Sequence, residues 1–583
     1  MTTADDLTLI FSGRPSATPS WDLMRTASLT PSAAGPRIRV EELDVDEIDP
    51  DEIKRHVEHV MDELGSFASE LAATPGGASW LHVHQVPVRR LVSQVVRKLL
   101  ALSAWPPFAG APGPIAVPPG QTLIGERDSS SQEYRSYTVT WPGIAYLLGA
   151  EVSATPTPPP RSFASAEIRD IHVSPTAAVV AVSWSSRHAG TLLPVLAEVS
   201  RHGQRSLLLD LATDPAQRCP KVDDPLITVH RIPRGRLLAP GGLLATTLHA
   251  MRQPGDGQSV LIGAHRILLG RLAGLAARLL EYSAGCTQLS WCATVNTEAW
   301  LDGVLAATRP ATMLVSNDTS PLGALAVHTA DRIGVRTVYV QHGAWIPGSV
   351  AWPALHCRHI VVMGERDATS AAGWVRRDDA EIHVLGQPRF DALASVDRPR
   401  QRRYLESLLT SEGGRPPERI VLWACQPFSR SSLRAQAEIL LRGMQAAEGS
   451  WKLVITPHPA QDPHVFEALS GLKVAVADPA TGARGCLAGS DAIVTVSSTC
   501  GIEAMLLDVP VLELRLPGEQ TLGLAEHQAA RACADAADVA AALSHLAASP
   551  HQTPVPGRAK NAVCRWDGAT AAAVAKLVLG PSS

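Results

Sequence analysis

The sequence lacks the paired cysteine spacing of a disulfide framework or a zinc site. Its nine cysteines (Cys219, Cys286, Cys292, Cys357, Cys425, Cys486, Cys500, Cys533 and Cys564) are odd in number and scattered, which fits reduced thiols and implies no metal. It lacks any run of about 18 uninterrupted apolar residues. The opening MTTADDLTLIFSG carries neither a basic flank nor a long apolar core, so neither a membrane span nor export is expected, and a cytoplasmic location follows. It also lacks a dense basic block: the formal net charge is -4 and the cations are overwhelmingly arginine, which argues against a nucleic-acid partner. No short repeat of the solenoid kind occurs.

What remains is a 583-residue chain with ordinary apolar content (45%), long enough for two or three domains. Two proline-rich stretches, Trp105 to Gly120 and Ala154 to Arg161, break regular structure, and a domain boundary is expected at the second. Before it, Asp49 can cap, Pro50 fits a first helical turn and Glu52 completes a capping box. Ile53, Val57, Met61, Leu64, Phe67 and Leu71 then follow helical spacing. A second helix, Val86 to Ala104, carries Arg89, Arg90, Arg97 and Lys98 without an acid. It reads as an ordinary packed helix, with peripheral contact to an anionic membrane face, on the inner side of the membrane, kept as an alternative.

After the linker the pattern becomes strand, helix, strand. AAVVAVSW (177–184), a helix over 187–203 and RSLLLDL (205–211) form one βαβ unit; ATMLVSND (311–318), a helix over 322–333 and RTVYVQHG (336–343) form another. Further apolar strands follow at 359–365, 381–388, 419–427, 452–459, 491–498 and 509–514. Most are separated by helix-length segments, as parallel sheets covered on both faces require. The expectation is an α/β protein with two tandem doubly wound domains. Its division is an N-terminal, partly helical extension (1–152), a linker (153–166), two Rossmann-like domains (167–357 and 358–556) and a C-terminal helix packing back across them (557–583).

Ligands of doubly wound sheets collect beyond the carboxyl ends of the strands. The residues there are Asn317-Asp318, Gln341-His342-Gly343, Gln387 with Arg389, Gln426, His458-Pro459 and Ser497-Ser498-Thr499. In the last stretch Gly501 opens a helix containing Glu503. Its free N–H groups and the hydroxyls suit a phosphate, and Glu503 suits a ribose diol, whereas the competing reading is that Ser and Thr merely cap the helix. His458, held between prolines, suits charge stabilisation on a leaving nucleotide or a neutral structural role. His342 suits proton removal from a hydroxyl, or polarising substrate and holding its loop, because imidazole titrates near neutral pH. Spacing leaves open which histidine is the base.

Together these residues resemble the GT-B fold glycosyltransferases, in particular the bacterial surface-polysaccharide group of polysialyltransferase-like enzymes, Kdo capsule transferases and teichoic-acid glycerophosphotransferases, over about Ile171 to Gly580. The resemblance implies that His458-Pro459 and Ser497-Ser498-Thr499 hold the nucleotide donor and that His342-Gly343 lies near the acceptor; by their places beyond the strands, Gly501, Glu503, Gln387, Arg389 and Gln426 are expected on the donor side and Gln341, Asn317 and Asp318 on the acceptor side. GQPRFDAL (386–393) and the closing RWDGATAAAVAKLV (565–578) share the look of the group. The group's two-acids-glycine motif is absent, with VDDP (222–225) a poor substitute, and DVD (44–46) falls before the first α/β unit. The implied reaction is metal-independent transfer of a sugar or glycerophosphate from a nucleotide donor, CMP- or CDP-linked with UDP and GDP as alternatives. The acceptor is a glycan, lipid-linked or small-molecule hydroxyl, in bacterial glycan or glycosylated natural-product biosynthesis, with no cofactor beyond the activated donor. A nucleotide-sugar 2-epimerase and a non-catalytic nucleotide-binding scaffold subunit are the rival readings.

Overall fold

The computed structural model describes residues 28–29, 38–39, 48–68, 73–104, 122–127, 136–149, 176–212, 217–231, 257–282, 291–347, 354–410, 417–426, 428, 430–458, 465–466, 474–517, 519–549 and 554–580. Three small antiparallel pairs precede or interrupt the main sheets: β1 (Ser28–Leu29) with β2 (Ile38–Arg39), β3 (Ile124–Arg127) with β4 (Ser136–Val139), and β8 (Ser259–Ile262) with β9 (His265–Leu268).

The first main sheet contains β5 (Val179–Ser183), β6 (Ser206–Asp210), β7 (Ile227–Arg231), β10 (Thr312–Val315), β11 (Arg336–Val340), β12 (His359–Val362) and β13 (Glu381–Val384). They lie in the order β13-β12-β11-β10-β5-β6-β7, and every neighbouring pair is parallel. The second contains β14 (Arg419–Ala424), β15 (Trp451–Thr456), β16 (Val474–Val476), β17 (Ala492–Thr495), β18 (Val511–Leu514) and β19 (Arg531–Cys533), in the order β16-β15-β14-β17-β18-β19, again all parallel. Each sheet is doubly wound: the chain steps outward from a central strand, then returns to that strand's other side and steps outward again, as in a Rossmann domain. Two such domains in tandem, with a helical region ahead of them, form a GT-B arrangement. β5, β6, β10, β12, β17 and β18 are buried at every residue, which is why they read as continuous apolar runs without alternation.

The expected division at residue 357/358 does not hold, because β12 and β13 extend the first sheet. His359, Ile360 and Val361 align with Val338, Tyr339 and Val340 of β11, so β11 is an interior strand and not the last of its domain. A parallel strand with its crossover helix looks alike in either sheet; only the hydrogen-bonded neighbour assigns it. The chain passes to the second domain after β13, through a 3-10 segment Pro388–Ser395 and the helix Arg398–Leu409.

The helix Pro50–Ala68 begins where its cap signals place it: Asp49 Oδ1 accepts from Asp51 N at 3.0 Å, and Ile53, Val57, Met61 and Leu64 are buried. The second helix spans Trp80–Ala104 with a non-helical residue at His84. Pro87 causes it, since it has no N–H and its ring crowds the carbonyl four residues earlier. This helical layer is completed from within the first Rossmann domain: Val260, Ile262, Ile267, Leu269 and Leu272, all between β7 and β10, share its core. The closing helix Thr570–Leu579 lies on the first sheet, with Val574, Ala575 and Val578 packed among β5, β6, β10, β11 and β12. Asp391 fixes its start by accepting from Thr570 N and Ala571 N at 3.1 and 2.7 Å.

Candidate functional site

Strand order reverses between β5 and β10 in the first sheet and between β14 and β17 in the second. At such points the crossovers leave on opposite faces and open a crevice at the carboxyl ends of the strands. At the first, β5 runs into Ser185, whose hydroxyl caps the helix Ser186–Arg201 by accepting from His188 N. That helix therefore presents Arg187 and His188 at the strand ends. His342, just past β11, places its ring edge-on to His188, with centroids 4.6 Å apart at 84°, and Trp184 meets His188 at 4.2 Å. His342 Nδ1 lies 2.6 Å from Ser316 O. A carbonyl only accepts, so Nδ1 carries the proton and Nε2 is the ring's proton acceptor.

At the second reversal Gln426 Oε1 spans the crevice, accepting from Ser497 N at 3.1 Å and Ser497 Oγ at 2.5 Å. Ser498 N donates to Thr495 Oγ1 at 3.0 Å, and Ser498 Oγ accepts from Cys500 N at 3.3 Å. The Ser hydroxyls thus brace their own turn, and the helix after them, Cys500–Leu506, is only seven residues long. Gly501 is there for space: a Cβ would lie 3.1 Å from both Leu524 and Thr495.

The two crevices meet. Ala344 N donates to Thr499 Oγ1 at 3.2 Å. Gln387 Nε2 donates to His342 O at 3.1 Å and Thr191 Oγ1 at 3.2 Å, while its Oε1 accepts from Arg389 N at 2.8 Å. Arg389 reaches Glu503 Oε1 at 3.5 Å, and Arg484 grips both Glu503 oxygens at 2.7 Å. Gly386 makes this turn with φ +99, where a Cβ would meet Arg565 O at 2.3 Å.

Charge is unbalanced here. The charged neighbours of Arg389 are Arg484, Arg187 and Glu503, and burial, then the charge of Arg484, lowers its guanidinium to about 10. Burial is also the main cause that pushes the His342 and His458 imidazoles down to about 4, with the charge of Arg187 adding to both. Burial, then His342 and Arg187, holds His188 well below its ordinary value. One cation, Arg187, is therefore felt by His342 of the first lobe and by His458 and Arg389 beyond it. His188 Nδ1 and Arg389 Nε are buried without a protein partner, among the described residues.

Several expected site residues serve the fold instead. Gln341 is fully buried and used up, donating to Gly343 O and Asp367 Oδ2 and accepting from Met363 N. Asn317 closes the turn into the next helix by accepting from Thr319 N and Ser320 N. Asp318, raised to about 6 by burial, accepts from His356 N and Cys357 N. Glu503 is 1% exposed and its oxygens face two guanidinium groups, so it positions arginines and is not open to a ribose diol. His342 and His458 do not keep the near-neutral titration of free imidazole. Pro459 lies outside the described residues. Sequence reasoning missed Arg187, His188 and Arg484. The first two follow a strand end and were within its reach, whereas Arg484 comes from a 3-10 turn, Ala483–Gly485, that no strand-end rule addresses.

A separate cavity of about 880 Å³ lies between the N-terminal helices and the first domain, with His82, His328, His356, Arg89, Arg376 and Asp331 in its wall. It holds none of the expected site residues. Arg89 pairs there with Glu58, and Lys98 sits over Trp141, so these two cations of the second helix are engaged within the protein and not presented to a membrane. No helix among the described residues is long and apolar enough to cross a membrane.

No family model and no curated protein matches this chain. Among solved structures it is similar to UDP-GlcNAc 2-epimerase from Neisseria meningitidis bound to UDP-GlcNAc, at 14% identity over 68% of this chain and 98% of that one, with a TM-score of 0.40. It is similar to the Methanocaldococcus jannaschii UDP-GlcNAc 2-epimerase at 12% identity, 68% and 97% coverage and a TM-score of 0.41. Acinetobacter baumannii MurG matches at 13% identity, 69% and 99% coverage and a TM-score of 0.37. The architecture described above rests on this chain's own sheet topology.

Proposed function

We propose that this chain is an enzyme that binds a nucleotide-activated sugar between its two strand-order reversals and releases the nucleotide as the sugar moves to an acceptor hydroxyl. The observation that carries the reading is the facing of the two reversal points, with neutral imidazoles on one wall and more guanidinium than carboxylate on the other. In a desolvated cleft such an excess selects an anion and stabilises charge developing on a departing phosphate.

In this reading Arg389, Arg484 and Arg187 hold the phosphates, Glu503 aims the first two, and His458 donates an N–H. His342 Nε2 accepts the hydroxyl proton. At about 4 its ring is by itself a weak base. Burial is the main cause of that depression and Arg187 and Arg389 add to it, so a phosphate beside the two cations offsets their part and moves the ring toward the range a general base needs. Ser497, Ser498, Thr499 and Gln426 keep the second crevice in shape. The cytidine preference stays a proposal on the His-Pro and Ser motifs alone.

The test is calorimetry with CMP, CDP, UDP and GDP on the natural protein and on Arg389→Ala, then NMR of the matching donor sugar with and without hydroxyl acceptors. One nucleotide binding, weakened at least tenfold in the variant and released only when an acceptor is present, supports transfer. A 2-epimer formed from donor alone would replace this reading with epimerisation. Binding without turnover would leave a scaffold.

A further inference from the structure

At the opposite end of the first sheet from the cleft, the strand register gathers three metal-binding side chains. His359 opens β12, Glu381 opens β13, and these two are paired residues in the parallel ladder. His383 is two positions beyond Glu381, so both project from the same face of β13. His359 Nδ1 lies 3.3 Å from His383 Nε2 and 3.5 Å from Glu381 Oε2, and His383 Nε2 lies 3.7 Å from the same oxygen. The point equidistant from these three atoms is about 2.0 Å from each, which is the length of a zinc–nitrogen or zinc–carboxylate bond.

We propose that His359, Glu381 and His383 form a binding site for a divalent transition cation, Zn²⁺ by preference, that clasps edge strand β13 to β12. Two imidazoles and one carboxylate suit zinc and its first-row neighbours and not Mg²⁺ or Ca²⁺, which require oxygen ligands. The protein supplies three ligands. Glu381 is 56% exposed, so water reaches the remaining coordination position. Both rings are available in the neutral, ligating form: burial is the main cause lowering His359, with His383, Arg336 and Arg358 adding to it and Glu381 opposing, and burial lowers His383 against Glu381. The two nearby cations are engaged, Arg358 with Asp379 and Arg336 with Thr312 Oγ1 and Val578 O. The site stands apart from the cleft chemistry, since His359 and Glu381 begin their strands whereas the cleft lies past the strands' other ends.

The experiment uses full-length protein stripped with a chelator and dialysed against Zn²⁺, with bound metal counted by mass spectrometry, thermal shift recorded with Zn²⁺ and Mg²⁺, and visible absorption recorded after Co²⁺ loading. The expected result is one tight equivalent of zinc, a rise in Tm with Zn²⁺ and not with Mg²⁺, and Co²⁺ bands of a low-coordinate nitrogen–oxygen site. His383→Ala and Glu381→Gln, at the partly exposed positions, should each weaken binding at least tenfold and abolish the bands while leaving the metal-free Tm within a few degrees. Less than a tenth of an equivalent bound, or equal binding in His383→Ala, overturns the proposal. So does equal stabilisation by Mg²⁺, and the three groups then form only a histidine–carboxylate hydrogen-bond cluster.

Discussion

The backbone amide of Ala344, two residues past His342, donates to the hydroxyl of Thr499, which follows Ser497 and Ser498. This 3.2 Å bond joins the carboxyl ends of two different sheets and brings their crevices into one cleft. His342 and Gly343, which follow β11, therefore sit at the boundary between the lobes, and a Cβ on Gly343 would make only ordinary contact there, 3.9 Å from Thr499 Oγ1.

Replacing Thr499 by Val keeps the volume and removes the acceptor. The folded protein should lose about 0.5–1.5 kcal/mol, the net worth of one hydrogen bond. Because the bond spans the lobes, nucleotide affinity should fall as well; paired urea and calorimetric titrations measure both. Unchanged affinity would mean that lobe closure does not depend on this contact.

Glu503 is buried between Arg389 and Arg484, and removing one partner of a buried ion pair leaves its charge uncompensated. Glu503→Ala should cost about 3–5 kcal/mol in urea unfolding. Arg484→Ala should cost clearly less, since its side chain is 46% exposed, but should weaken anion binding. Equal losses of stability would contradict this division between a positioning acid and a ligand-binding base.

His82, His342 and His458 are lowered to about 4 and His84 to about 3, in each case chiefly by burial. Each ring binds a proton more readily unfolded than folded, so stability holds above pH ~6.5 and falls as pH drops toward 4. Asp318 and Asp367, raised to about 6 mainly by burial, work in the opposite sense between pH ~4 and 6 and offset part of the slope. Chemical unfolding across pH 4 to 7 should show a net decline in acid that is shallower in His342→Gln. Nucleotide binding near pH 5.5 should take up protons as the anion restores the rings' basicity, seen as a buffer-dependent calorimetric heat. Buffer-independent heat would contradict this account.

Two helical glycines separate backbone freedom from close packing. A Cβ on Gly323 would lie 1.8 Å from Asn317 O, beside the first strand-order reversal, whereas Gly303 faces open space. Gly323→Ala should destabilise by about 2 kcal/mol or more, and Gly303→Ala should stabilise by about 0.5–1 kcal/mol. Thermal unfolding of the pair checks both signs.

The strand ends carrying His342, Gln387, Gln426, His458 and Ser497 were legible in the sequence because each follows a short run of strand-forming residues, least apolar before Gln387, where Glu381 and His383 interrupt it. The roles of Gln341, Asn317, Asp318 and Glu503 were not. Their hydrogen-bonding groups are consumed by partners such as Met363, Ser320, Cys357 and Arg484, and a polar residue at a strand end looks the same whether it faces ligand or backbone.

By itself the sequence determined the alternation of buried strands and helices, the capped start at Asp49 and Pro50, and the doubly wound character of both lobes. These follow from side-chain period and local backbone chemistry, which act within a few residues. Only the tertiary structure decided that β12 and β13 belong to the first sheet, that residues between β7 and β10 complete the N-terminal core, and that Arg187 and Arg484 join one cleft. Those outcomes depend on which strands exchange hydrogen bonds and which charges meet after burial, and such pairings join residues too far apart in the chain for any local pattern to encode.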